Sequence, residues 1–261
     1  MTPDTSEFLF PGSSPSVLLI HGLTGSPYEM RYVGERLSAI GVRAMGIRLA
    51  GHRGPPEELG ATGHQQWYES VVDGFERLRA YGDPVVVVGL SLGAVLAARL
   101  AEDQGDAVAG LVMLAPAFFL APTRRIALGA VSALGNLAHR IYLQGSTSDI
   151  HDTGARGIHP GIRLMPLSAP LSLIELSSIV RSRIDRISQP TLVMHGRRDH
   201  LCPWRRNVNF LVSHIVGGNC KAVVLDDSFH VITVDIEKDR VATEICDFMA
   251  PWRKKASAAG Q

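Results

Sequence analysis

Hydrophobic residues in this chain fall into two kinds of pattern that alternate along its length. Short unbroken runs rich in Val, Leu and Ile occupy 16–20, 42–47, 84–88, 107–114, 191–195 and 221–225. Between most of them, apolar residues recur at helical spacing: Met30, Val33, Leu37 and Ile40, then Trp67, Val71, Phe75 and Leu78. Unbroken runs predict strands buried on both faces, and spaced runs predict amphipathic helices. Helices are expected near 27–40, 64–81, 92–103 and 235–249. Ser26 is placed to cap the first of them, Pro27 suits its first turn, and Gly41 stops it.

Strand and helix alternating at this spacing predict an α/β fold: a mostly parallel central sheet with helices on both faces. The segment 117–180 breaks the alternation. It holds one apolar stretch (Ile126, Val131, Leu134, Leu137, Ile141), a polar Gly-rich patch at 145–161, and a second apolar stretch (Leu171, Ile174, Leu176, Ile179). Long excursions inside compact domains are usually lids or binding loops. The expected organisation is a core of 1–116 and 181–261 carrying a helical cap at 117–180. The loop 50–63 is rich in Gly and Pro and is expected to be irregular.

Composition narrows the function classes. The chain has 261 residues, 46% hydrophobic and 20% charged, which suits a globular domain with a sizeable core. A formal net charge of +1 gives no reason to expect a nucleic acid or an anionic membrane as partner. The basic run Arg253-Lys254-Lys255 is read as a solvated tail. No run of about 18 apolar residues is present, so no stable membrane insertion is expected. The N-terminus has no basic segment followed by an apolar run, which points to a cytoplasmic location. Cys202, Cys220 and Cys246 are scattered and form neither a disulfide nor a metal pattern.

The chemistry centres on Gly89-Leu90-Ser91-Leu92-Gly93, which matches G-x-S-x-G between a predicted strand and a predicted helix. In such an elbow Gly89 and Gly93 relieve crowding, the turn lifts the Ser91 hydroxyl off the sheet, and the Leu92 amide faces a developing oxyanion. Without that strand the motif would be an ordinary Gly/Ser turn. A hydroxyl needs a base, and the base needs an orienting acid. In chain order after Ser91, Asp199 follows the 191–195 run and His230 follows the 221–225 run. Both lie beyond the C-terminal ends of predicted strands, where open α/β sheets place their sites.

Rivals exist. His200 has no later acid in the required order, His195 is read as a packed or hydrogen-bonded strand-end residue, and Asp226 or Asp227 is the alternative orienter of His230. His195, Asp199 and His200 lack a further convergent ligand, so no metal is expected. The loop His21-Gly22-Leu23-Thr24-Gly25 follows the first core strand. Gly22 lets the chain approach the serine, the Leu23 amide becomes the second oxyanion donor, and His21 bridges loops by hydrogen bonds.

Together these residues resemble the α/β-hydrolase superfamily, and more narrowly the bacterial carboxylesterase and monoacylglycerol lipase group. The likeness rests on 21–25, 51–59 (Gly51-His52-Arg53-Gly54 through Leu59), 89–93, the Asp199 loop and His230-Val231-Ile232-Thr233. It implies the α/β-hydrolase fold, a cap over the serine, and cofactor-free hydrolysis of esters or monoacylglycerols by Ser91, His230 and Asp199, with Leu23 and Leu92 as oxyanion donors. The apolar residues of 117–180 point to a small-molecule ester with an apolar acyl or aryl group. Phe229 stands where the group often has glycine, and a ring there is expected to narrow the substrate pocket. The same triad could serve thioester or carbon–carbon cleavage or acyl transfer, and a non-catalytic binding member of the fold is a further alternative.

Overall fold

A strand that is apolar on both sides is stable only if both of its faces are covered. The structure, a computed structural model describing residues 2–122, 141–144, 148–216 and 219–253, meets that condition. Its main sheet runs β1 (Phe8–Phe10), β3 (Val42–Ile47), β2 (Ser13–Ile20), β4 (Val85–Leu90), β5 (Val108–Leu114), β8 (Thr191–Gly196) and β9 (Cys220–Leu225). All neighbours are parallel except β1, which pairs antiparallel with β3.

Alternation along β2 and β4 divides the core. Val17, Leu19, Val86 and Val88 pack with Met30, Val33 and Leu37 of α1 (Tyr28–Ala39) and with Val241 and Ile245 of α8 (Lys238–Phe248). Leu18, Ile20, Val85 and Val87 face the other way, onto Trp67, Val71, Phe75 and Leu78 of α3 (His64–Arg79) and onto α4 (Leu92–Gln104). One strand supplies both layers because successive side chains point to opposite faces.

The register sets the site. Ile20, the last residue of β2, lies beside Gly89 of β4. Leu90 pairs with Leu114, Leu114 with Met194, and Gly196 with Leu225. The loops leaving β2, β4, β8 and β9 therefore emerge along one edge of the sheet.

Several elements were not expected. β1 is only three residues long, too short for periodicity to register. The 50–63 loop contains a short helix, α2 (Pro56–Gly60). The helix α7 (Trp204–His214) buries Val208 and Leu211 between β8 and β9 in chain order. The Ser26 cap is a correction: α1 begins after Pro27 with no side-chain cap, and the buried Ser26 Oγ has no hydrogen-bond partner. Pro27 already has helical φ and ψ, so the Ser26 carbonyl, rather than its hydroxyl, meets the first turn by accepting from Glu29 N–H.

Within 117–180, β6 (Tyr142–Gln144) and β7 (Leu164–Pro166) form a separate antiparallel pair, followed by α6 (Ser168–Arg181), with α5 (Thr153–Ile158) between the two strands. Leu176 and Val180 of α6 join the main core, and β7 packs on α2. The predicted helical stretch from Ile126 to Leu137 and the tail beyond Arg253 lie outside the described residues. No helix among the described residues is long and apolar enough to cross a membrane.

Candidate active site

The β4–α4 turn carries Ser91 at φ 56°, ψ −110°. That conformation is costly for a residue with a side chain, on the order of 1–3 kcal/mol, and is held by its surroundings. Close backbone approach enforces the flanking glycines. A Cβ on Gly89 would be driven into the Gly93 carbonyl, and one on Gly93 into the Ile20 carbonyl. Ser91 N–H donates to Leu114 O at 2.8 Å, tying the turn to the next strand.

The Ser91 Oγ lies 2.8 Å from His230 Nε2, and His230 Nδ1 lies 2.7 Å from Asp199 Oδ2. A carboxylate only accepts, so Nδ1 carries the proton and Nε2 is left to accept a hydrogen bond from the Ser91 hydroxyl. Asp199 Oδ1 accepts the Leu201 and Cys202 amides at 2.7 and 2.8 Å. Oδ2 also meets His195 Nε2 at 3.0 Å, so that His195 reaches the carboxylate from the strand end. Burial alone would raise the Asp199 pKa. The His230 charge and the hydrogen bonds of both imidazoles outweigh it and hold the carboxyl well below the usual range. Burial alone would lower the His230 pKa, but the Asp199 charge and hydrogen bond, with Asp149 and Glu29 adding, raise it above 6.5.

The His230 loop is anchored throughout. The Ser228 N–H and hydroxyl both donate to Glu237 Oε2, Phe229 N–H donates to Asp235 Oδ2, and the His230 and Val231 amides share Asp149 O. The rival acids are elsewhere: Asp226 pairs with Arg197 at 2.7 Å and Asp227 with Arg198 at 2.9 Å, all well exposed. His200 turns to Asp149 at 2.8 Å rather than toward Asp199. Among the described residues, the one group with metal-type ligand atoms close together is Asp199, Cys202 and His230, within 4.8 Å of one another. Two of its members are already bonded to each other.

The loop after β2 lies against the elbow, and a Cβ on Gly22 would stand 3.4 Å from Ser91 Cβ. His21 bridges loops as expected: its Nδ1 meets Gly22 O at 2.8 Å and its Nε2 accepts from Leu49 N–H at 3.1 Å. Deep burial pushes its pKa down to about 3, which keeps the ring neutral in this role. The Leu23 amide and the Leu92 amide at the start of α4 donate to no acceptor among the described residues.

Sequence reasoning missed two acids and a histidine here. Glu29 is buried, accepts Gly22 N–H at 2.9 Å, and lies 3.2 Å from His159 Nε2. Burial would raise its pKa, but His159, His21 and the Gly22 amide together bring it below the ordinary value. Its position in line with Val33 and Leu37 on α1 was the available signal that it turns inward. Asp149 and His159 sit in a polar stretch that carries no periodicity.

A cavity of about 710 Å³ opens over Ser91 and His230. Its apolar wall includes Leu120, Leu143, Met165, Leu167 and Leu173, and its polar wall Gln144, Arg156, His159, Arg163 and His200. The expectation for Phe229 is corrected. Its ring does not line the cavity; it stacks on His151 (4.6 Å, 4° between planes) and meets the edge of His200, which is the lining residue.

A protein-family profile described as serine aminopeptidase, S33, matches residues 13–237. A carboxylesterase of Bacillus subtilis (strain 168) is 28% identical over 243 residues, covering 93% of this chain and 95% of its own. A thermostable monoacylglycerol lipase of Bacillus sp. (strain H-257) is 29% identical over 234 residues, 90% of each chain. A solved structure described with LipS and LipT, two metagenome-derived lipolytic enzymes, superposes with a TM-score of 0.87 at 26% identity, covering 96% of this chain and 99% of that one. The Paleococcus ferrophilus monoacylglycerol lipase gives 0.81 at 18% identity, over 95% and 99%, a likeness of fold.

Proposed function

The chain belongs to the serine aminopeptidase S33 family of α/β hydrolases, and from that membership we propose that it cleaves carboxylic esters through Ser91, His230 and Asp199. The observation that carries this is the continuous chain from Ser91 Oγ to His230 Nε2, and from His230 Nδ1 to Asp199, built on a strained elbow. Ser91 Oγ attacks the ester carbonyl carbon while His230 Nε2 takes its proton. The Leu23 and Leu92 amides receive the oxyanion, and losing one such donor typically raises the barrier by about 2.7–4 kcal/mol. Protonated His230 then gives its proton to the departing alkoxide. Water, deprotonated by the same nitrogen, attacks the acyl-enzyme, and collapse returns Ser91 and releases the acid.

The apolar wall suits a short to medium acyl chain or an aryl group, and monoacylglycerols fit the same description. Segment 117–180 acts as the cap that shapes this cavity. The two carboxylates that line it, Glu29 and Asp149, are already paired with His159 and His200. The α-ammonium group of a peptide would meet no unpaired acid there, which favours esters over amino-terminal peptides.

The test is hydrolysis of p-nitrophenyl esters of graded chain length and of monoacylglycerols by wild-type protein and Ser91→Ala, with fluorophosphonate labelling alongside. Turnover and labelling of the wild type, with kcat lost in the variant by on the order of 10⁴–10⁶, are expected. Equal slowness of both proteins on every ester would overturn the assignment and direct assays to thioesters and carbon–carbon substrates.

A further inference from the structure

The Leu23 amide can serve as an oxyanion donor only if its peptide plane is held. That plane is fixed from its carbonyl end. Gly22 O accepts from Gly25 N–H at 3.1 Å and from His21 Nδ1 at 2.8 Å. In a trans peptide the N–H points opposite to the C=O, so the two groups on the Gly22 carbonyl dictate where the Leu23 N–H points. The preceding amide, Gly22 N–H, is held by Glu29 Oε2 at 2.9 Å.

Glu29 belongs to α1 of the core, but its other oxygen, Oε1, faces His159 Nε2 at 3.2 Å, from the 117–180 segment. Both side chains are at most 5% exposed, and both line the cavity over Ser91. His159 Nδ1 is held in turn by Ser148 Oγ at 2.7 Å. A second tie runs beside it: Ile162 N–H donates to Thr24 O at 2.8 Å. The 159–162 stretch therefore grips the loop carrying Leu23 at two points, one of them a buried pair that reaches the Gly22 amide through a carboxylate.

We propose that Glu29 and His159 are a positioning pair: docking of the 159–162 stretch sets the oxyanion loop through the Glu29 carboxylate, so that this segment completes the oxyanion hole as well as covering the cavity. This rests on Ser91 being the nucleophile and the Leu23 amide an oxyanion donor. The pair touches no reacting atom. It acts on the transition state through Gly22 and Leu23, and its removal is felt in kcat rather than in KM.

The experiment compares wild type, His159→Ala, His159→Gln, Glu29→Ala and the Glu29→Ala/His159→Ala double variant on p-nitrophenyl butyrate. Rates are taken per active site titrated with a fluorophosphonate, so that misfolded protein does not count. Affinity for an alkyl trifluoromethyl ketone, which forms an oxyanion adduct with the serine, is measured beside them. His159→Ala and Glu29→Ala are expected to lower kcat about 10- to 100-fold, less than outright loss of a donor, with KM changed by no more than about threefold. Ketone affinity falls by the same factor. His159→Gln, whose amide keeps a polar N–H group facing Glu29, recovers to within about fivefold of wild type. The double variant is no worse than the worse single one, because both act through one contact.

A kcat per titrated site that stays within about twofold of wild type in both single variants, whatever their unfolding midpoints, would reduce the pair to a structural contact and overturn the proposal. Losses that multiply in the double variant, or that appear in KM instead of kcat and ketone affinity, would do the same. Wild-type protein that neither labels nor turns over removes the nucleophile itself, a separate failure that takes the positioning role down with it.

Discussion

His195 Nε2 stands 3.0 Å from Asp199 Oδ2, the oxygen that His230 Nδ1 meets at 2.7 Å. One buried carboxylate oxygen thus serves two imidazoles while its partner oxygen accepts two backbone amides. Full occupancy explains how Asp199 remains an anion in a site that would otherwise neutralise it. His195 Nε2 is also 3.1 Å from Cys202 O, so it bridges the strand end and the Asp199 loop.

His195→Phe leaves that oxygen with one imidazole donor and removes the His195 contact to Cys202 O. The expected cost is about 1–3 kcal/mol of stability, read from denaturant unfolding, with a several-fold fall in kcat as Asp199 loosens. His195→Gln is expected to recover part of both. Unchanged unfolding in His195→Phe would show that the contact holds nothing.

Asp199→Asn keeps the shape but puts an amide where His230 needs an acceptor. The ring then favours the tautomer that points a proton at Ser91, and kcat is expected to fall by on the order of 10³–10⁴ with little change in KM. Steady-state kinetics on a p-nitrophenyl ester, with the rate of fluorophosphonate labelling falling in parallel, checks this.

The pH dependence follows from His230, whose pKa lies above 6.5 because the Asp199 charge and hydrogen bond outweigh burial. The base must be neutral, so kcat/KM is expected to rise with pH and reach half its plateau above pH 6.5. Asp149 also raises this pKa. Asp149→Asn should therefore move the midpoint down, and a pH–rate profile showing it unmoved or raised would contradict the arrangement.

Gly93→Ala drives a methyl group into the Ile20 carbonyl, at the join between the elbow and β2. Neither backbone can yield without disturbing the parallel pairing of β2 with β4. Loss of fluorophosphonate labelling is expected, together with destabilisation of about 2 kcal/mol or more. Thermal unfolding and labelling of the purified variant decide it.

Far from the site, burial pushes the Glu102 carboxyl up to about 8 despite Arg183 at 3.1 Å. The folded chain then binds this proton more tightly than the unfolded chain, so stability declines as pH rises from about 4.5 toward 8. Glu102→Gln removes that contribution and leaves Arg183 with Asp103. Between about pH 5.5 and pH 8.5 the variant's melting temperature should fall less than that of wild type; an equal fall would rule this out.

Much of this site could be read along the chain. The Val85–Leu90 strand, the elbow glycines and the order Ser91, Asp199, His230 are local patterns or follow from chain order, and each carries its own signal in neighbouring residues. Phe229 shows the limit. Its type suggested a pocket wall, yet its direction is set by His151 and His200, which reach it from other parts of the chain.

The sequence by itself determined where six strands of the main sheet and four of the helices lie, because spacing reports which side chains share a face. It also determined which residue types stand at the ends of the strands. Only the tertiary structure decided how polar groups are satisfied once buried. Glu29 meets His159, Asp199 meets His195 as well as His230, and Asp149 O caps the His230 loop. Polar contacts of that kind join segments distant along the chain, and a buried carboxylate leaves no periodic trace of the partner that folding will bring to it.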